Sequence, residues 1–218
     1  MSSCLEIPFS VFQKSRPTAR PYDSLKWHTV LIAVLVALVG GQAVHAGQKT
    51  IPEWKIVVLK QPQLLELYKR GSKVRTYRVC LGLNPVGHKR VTGDKKTPEG
   101  DYFICYKSAS SRFYRFLGIS YPSAPDAVAA CEGGLITGEK RDAIVHNLTN
   151  GQAPPWDTRL GGWVGIHGYP TEEDASRWAL LLFPKPHNWT DGCIAMWNFE
   201  IEELFSTVPI GTPVSITP

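Results

Sequence analysis

The chain has 218 residues, 24 Lys+Arg against 19 Asp+Glu, and a formal net charge of +5. Apolar content of 43% with 20% charged residues excludes a disordered chain and fits one domain plus an N-terminal appendage. Without residues 1–46 the balance falls to 20 basic against 17 acidic, with no dense basic stripe, so nucleic acid is excluded as a partner. Seven Trp, 17 Pro and 19 Gly suit a loop-rich β protein better than a helix bundle.

In chain order, residues 1–28 are polar and carry Lys14, Arg16, Arg20 and Lys26. The uncharged run Thr29–Val39 follows, ending at Gly40-Gly41-Gln42 and Val44-His45-Ala46. A basic region, an apolar core and small residues give the layout of a secretory signal peptide, with cleavage after Ala46. The competing expectation is an uncleaved membrane anchor, although the run is short of the roughly 20 apolar residues that a span requires. Either way the remainder is expected outside the cytoplasm, in the periplasm or cell envelope, held at the inner membrane only if the segment stays uncleaved. In that oxidising setting a disulfide among Cys80, Cys105 and Cys131 is open, with connectivity not readable. No Cys-x-x-Cys or His-x-x-His spacing occurs, so neither a metal nor another cofactor is expected.

From Trp54 the pattern is that of strands. Trp54–Lys60, Leu64–Tyr68 and Val74–Val79 are strand candidates, the last two joined by the turn Lys69-Arg70-Gly71-Ser72. Glycine and proline punctuate Gly82–Lys89 and Gly93–Gly100 as turns ahead of a strand through Tyr102-Phe103-Ile104. Ser111–Pro122 predicts a further strand, and Asp126–Glu132 and Arg141–Asn147 short helices. Pro154-Pro155-Trp156-Asp157-Thr158 is a loop leading through Gly161-Gly162 to another strand. Thr171–Phe183 predicts a capped helix ended by Pro184-Lys185-Pro186 and placed as a lid. Asn198 is expected to cap a helix with Glu200, Glu202 and Glu203 in its first turn, and Gly211–Ile216 to close the chain as a strand. His88 and His146 are expected to be loop or helix residues without chemistry.

The chemistry concentrates in two stretches. Ile166-His167-Gly168 lies 26 positions before Cys193, which sits in Asn188-Trp189-Thr190-Asp191-Gly192-Cys193-Ile194-Ala195-Met196. A cysteine displayed on a glycine-containing turn, with a histidine to take its proton, is a nucleophile–base pair if the fold brings the two together. Cys193 is then the nucleophile, its thiol pKa lowered from about 8.5 by the imidazole or by nearby N–H groups. His167 is the base. The N–H groups of Asp191, Gly192 and Cys193 are candidates for an oxyanion hole. The imidazole's orienting partner is expected to be a main-chain carbonyl, with Gly168 and Thr190 as candidates.

Gly-Gly-Trp-Val-Gly-Ile-His-Gly followed by Thr-Asp-Gly-Cys-Ile resembles the catalytic region of the L,D-transpeptidases, the YkuD-domain family. Lys96-Thr97-Pro98-Glu99-Gly100-Asp101-Tyr102 resembles that family's Thr-Pro-x-Gly-x-aromatic segment, which is scaffold. Tyr121-Pro122, Pro154-Pro155 and Leu160-Gly161-Gly162 ahead of the His-Gly are similar to the YafK-like branch. The resemblance covers residues 53–217 and implies a mainly β domain, a YkuD-like β-sandwich or barrel with a few short helices. It implies attack on peptidoglycan tetrapeptide stems. The acyl-enzyme is resolved by a stem amine or a protein lysine, giving cross-links or wall-attached protein and a role in cell wall organisation and cell shape. Two departures stand out: Asp191 where the family motif has His, and Ala195 where it has Arg, a contact to a substrate carboxylate. The YafK-like branch also lacks that Arg and includes amidases, so a thiol hydrolase trimming stems or releasing a wall-linked lipoprotein is the alternative. A non-catalytic peptidoglycan-binding module is the second.

Overall fold

The computed structural model describes residues 51–170 and 187–218, within a unit spanning Thr50–Pro218. The expected signal peptide or anchor and the expected lid helix Thr171–Phe183 lie outside the described residues. Eight strands are present: β1 Trp54–Leu59, β2 Leu64–Lys69, β3 Ser72–Arg78, β4 Gly100–Ser111, β5 Tyr114–Ile119, β6 Gly165–His167, β7 Ile194–Ala195 and β8 Pro213–Thr217. Helices α1 Ala124–Glu132 and α2 Gly138–Thr149 fall between β5 and β6, and α3 Asn198–Thr207 between β7 and β8. The mainly β class with few helices is as expected. The architecture is one eight-stranded sheet in the order β3-β2-β1-β8-β4-β5-β6-β7.

The sheet curls because its ends meet. Cys80, just beyond β3, exchanges N–H···O bonds of 2.8 Å in both directions with Ala195 of β7, and Leu83 N–H donates to the Thr190 carbonyl at 3.0 Å. Along the other half, register stacks apolar side chains in rows. Leu67, Ile56, Val214 and Tyr102 are successive cross-strand partners, as are Leu65, Val58 and Ile216. All seven are buried in the main core. Each fully buried aliphatic side chain contributes about 1.5–3 kcal/mol, and the alternation fixes which face turns inward.

Local chemistry explains several element ends. Arg70 and Gly71 adopt φ of +48° and +83°, the turn that a two-residue hairpin requires. Ser123 caps α1 reciprocally with Asp126. The strand expected within Ser111–Pro122 is β5: β4 runs through Ser111, the chain turns at Arg112-Phe113, and β5 begins at Tyr114, whose φ is +69°. One expectation is corrected. Asn198 is not the cap of α3; Trp197 holds that place, with its N–H donating to Glu200 at 3.2 Å. The Asn198 side-chain oxygen accepts instead from Tyr169 N–H at 2.7 Å, while Glu202 and Glu203 turn to Arg115 and Arg75. Cys80, Cys105, Cys131 and Cys193 are all free thiols, so none of the disulfides left open is formed. Among the described residues no helix is long and apolar enough to cross a membrane.

Candidate active site

Strands β6 and β7 run parallel, with Ile166 opposite Ile194 and His167 opposite Ala195. That register sets Cys193, one residue before β7, level with Gly165 and on the same face as His167. Both side chains line two cavities that meet at them. One, of about 390 Å³, is walled by Tyr106, Ser111, Phe113, Phe116 and Trp163. The other, of about 870 Å³, is walled by Lys89, Trp156, Trp163, Trp189, Thr190 and Asp191.

The loop carrying Cys193 is held from both sides. Thr190 Oγ1 donates to the Cys193 carbonyl at 2.7 Å and accepts from Gly192 N–H at 3.2 Å. Gly192 has φ +131°, and a Cβ there would stand 2.5 Å from the Lys96 carbonyl oxygen, so only glycine fits. The Thr-Pro-x-Gly segment thus supports the loop that carries Cys193: Lys96 packs on Gly192, and Thr97 Oγ1 accepts from Gly82 N–H at 3.0 Å. Beneath it Lys60, only 3% exposed, donates to the Gly87 and Thr97 carbonyls and to Glu99. Lys89 is tied to Asp94 at 2.8 Å. Burial opposes ionisation of Asp94, yet Lys89 and the N–H groups of Arg90, Val91 and Lys96 hold its carboxyl down to about 2.

His167 is 1% exposed. Its Nδ1 lies 2.7 Å from the Gly168 carbonyl oxygen, which can only accept, so Nδ1 carries the proton and Nε2 is left as the basic nitrogen. Of the two carbonyl candidates, Gly168 is the one in contact. Phe113 stacks on the ring at 4.5 Å and 23°, and Trp189 meets it edge-on at 5.7 Å. Burial pushes the imidazole down to about 4, against the Gly168 hydrogen bond and with the charge of Arg112 contributing.

The half-buried Cys193 thiol donates to the Trp163 carbonyl at 3.5 Å. Trp163 adopts φ +54°, a conformation costly for a bulky residue. Burial pushes the thiol up to about 11, while Gly165 N–H and Lys89 pull it down and Asp191 pushes it up. This corrects the expected direction, because desolvation outweighs the neighbouring donors. Both shifts favour the neutral form, thiol at Cys193 and imidazole at His167. The expected oxyanion donors also narrow. Gly192 N–H is taken by Thr190, whereas Asp191 and Cys193 N–H have no acceptor among the described residues. No group of three or more His, Cys, Asp or Glu among the described residues is placed to hold a metal ion.

Sequence reasoning missed Phe113, Trp163 and Arg112. Phe113 carries no motif, and Trp163 lies inside the Gly-Gly-Trp-Val-Gly-Ile-His-Gly stretch without having been singled out; their places at the site come from a hairpin and a loop folded over β6. Cys105 and Cys131 lie apart from the cleft, on β4 and α1. His88 pairs with Asp126 at 2.7 Å, and His146 is on α2, in contact with Asn150.

The YkuD family model, described as the L,D-transpeptidase catalytic domain, matches residues 52–216. YafK from Escherichia coli K12 is 32% identical over 103 residues, 44% of this chain and 42% of that protein. YqjB from Bacillus subtilis 168 is 30% identical over 124 residues, 57% of this chain and 53% of that protein. The chain thus spans about half the length of these curated relatives. A mutant of the helical cell shape determining protein Pgp2 from Campylobacter jejuni superposes with a TM-score of 0.50 at 22% identity, over 78% of this chain and 51% of that one. That likeness concerns the fold.

Proposed function

Because the chain belongs to the L,D-transpeptidase catalytic-domain family through residues 52–216, we propose that it is an exported cysteine L,D-transpeptidase acting on peptidoglycan tetrapeptide stems. One observation carries the proposal. Cys193 and His167 share a cleft in which the Gly168 carbonyl fixes Nδ1–H and leaves Nε2 to act as base.

With thiol and imidazole both neutral at rest, the thiol gives up its proton as it attacks. The S–H turns from the Trp163 carbonyl to His167 Nε2 while sulfur bonds to the carbonyl carbon of the third stem residue. The oxyanion is received by N–H groups of Asp191 and Cys193. Collapse breaks the C–N bond to the terminal D-alanine. His167 returns the proton to that leaving amine, and a thioester remains on Cys193. An incoming amine then gives its proton to His167, adds to the thioester and releases the thiol. A stem amine yields a cross-link, and a protein lysine attaches that protein to the wall.

Ala195 in place of the family's Arg favours a second reading, a hydrolase in which water resolves the thioester, trimming stems or releasing a wall-linked lipoprotein. Activity in the periplasm or cell envelope, behind a signal peptide or inner-membrane anchor, belongs to the same proposal. So does a part in cell shape, in line with the name of Pgp2. Incubation of the purified protein with tetrapeptide stems, with and without Cys193→Ala, decides. D-alanine release with dimers marks the transferase, and tripeptide without dimers the hydrolase. Stem binding that Cys193→Ala leaves intact, with no product from either protein, marks a binding module and removes the catalytic proposal.

A further inference from the structure

Arg112 stands at the tip of the β4–β5 hairpin and lines both cavities that meet at Cys193 and His167. Its guanidinium carbon lies 4.5 Å from the centre of the Phe113 ring, which itself stacks on His167 at 4.5 Å. The turn is pinned to the site. Gly168 N–H donates to the Phe113 carbonyl at 3.0 Å, and Phe113 N–H to Ser111 Oγ at 2.9 Å. Hairpin and stack together aim the first residue of the turn at the cleft.

Its neighbours in charge are committed elsewhere. Arg115, three residues on, makes a two-point pair with Glu202 at 2.6 and 3.1 Å. Arg75 reaches Glu203 at 2.9 Å, and Lys89, the other cation of the cleft wall, is held by Asp94. Arg112 meets no carboxylate among the described residues. A guanidinium resting on an aromatic face is oriented without being neutralised, and its planar fork matches a carboxylate.

We propose that Arg112 is a specificity residue that receives a carboxylate of the peptide substrate, an assignment that rests on the stem-peptide reading above. A stem offers two sources: the C-terminal carboxylate of the leaving residue and the carboxylates along the stem. The test is calorimetric binding to Cys193→Ala protein of three synthetic tetrapeptides: the free acid, its C-terminal amide, and the peptide with its internal carboxylates amidated. Each is measured with Arg112 present and with Arg112→Ala or Arg112→Lys. Arg112→Ala is expected to weaken the free acid by about 10- to 100-fold, the scale of a charge-assisted pair, with Lys restoring part of it. One amide then binds the Arg112 protein as weakly as the free acid binds Arg112→Ala, and it identifies the carboxylate. Equal weakening of all three peptides, no weakening, or no binding of the free acid to the Arg112 protein overturns the proposal. With Cys193 restored, the loss is expected in KM rather than kcat. The readouts separate the two layers. Arg112-dependent binding without acylation of Cys193 removes the acyl-transfer reading and keeps this one, whereas acylation indifferent to the carboxylates does the reverse.

Discussion

At the scale of single residues, the site is a pair of groups held neutral. Burial pushes the His167 imidazole down to about 4 and the Cys193 thiol up to about 11, so in the proposed mechanism proton transfer belongs to the attack itself. Two predictions follow for His167. His167→Gln is expected to slow Cys193 acylation by about 10²–10⁴-fold, the span of general-base catalysis, with stem affinity retained. The second concerns stability. The folded imidazole titrates near 4 instead of the ordinary 6.5, so between those values the unfolded chain takes a proton that the folded chain refuses. The contribution is present above pH 6.5 and is lost as pH falls through 4, about 3 kcal/mol in all. Denaturant unfolding from pH 7 to 4 is expected to show that loss, and His167→Gln to remove it; the same slope in both proteins rejects the burial argument. Cys193 and His167 were legible in the sequence because glycines flank each of them, and glycine there has steric causes. Gly192 admits the Lys96 carbonyl, and a Cβ on Gly165 would stand 2.6 Å from the Phe116 ring. The sign of the thiol shift was not legible, since burial is a property of the closed cleft.

At the scale of elements, the β4–β5 hairpin is the part of the fold that shapes the chemistry. Its turn lacks the Asn-Gly or Gly-rich pair that announces a two-residue turn, and Tyr114 takes a left-handed conformation in glycine's place. Tertiary contacts hold it there, through Phe113 on His167 and Arg115 on Glu202. Local sequence therefore placed a strand within Ser111–Pro122 without announcing the turn at Arg112-Phe113. Phe113→Ala is expected to let water reach the imidazole and to move the acid limb of kcat/KM from near pH 4 up toward 6.5. An unmoved limb would show that the hairpin does not keep the ring dry. The loop opposite makes a complementary case. Gly192→Ala places a Cβ against the Lys96 carbonyl at a φ that side chains avoid. It is expected to cost about 1–3 kcal/mol in unfolding free energy and to slow acylation by displacing Cys193. The β2–β3 hairpin, by contrast, was read correctly from Arg70-Gly71, because there the turn residues carry the conformation themselves.

At the scale of the whole molecule, the last strand sits in the middle of the sheet. β8 pairs in parallel with β1 and antiparallel with β4, and so joins the N-terminal meander to the half that carries the cleft. The sequence announces β8 as a strand by its alternation. It does not announce the partners, which depend on contacts across more than a hundred residues, nor the Cys80–Ala195 bridge that curls the sheet. A chain ending before Pro213 loses both ladders and the burial of Val214 and Ile216. It is expected to show no cooperative thermal transition, and a native-like melt would mean that the two halves stand independently. What the sheet positions is one sulfur beside one ring, and one measurement tests that directly: intact-protein mass spectrometry with peptide mapping after incubation with a tetrapeptide stem. The account predicts a tripeptide adduct confined to Cys193, strongly reduced in His167→Gln and absent in Cys193→Ala. Stem turnover with no adduct on Cys193, or an adduct that persists in Cys193→Ala, contradicts it.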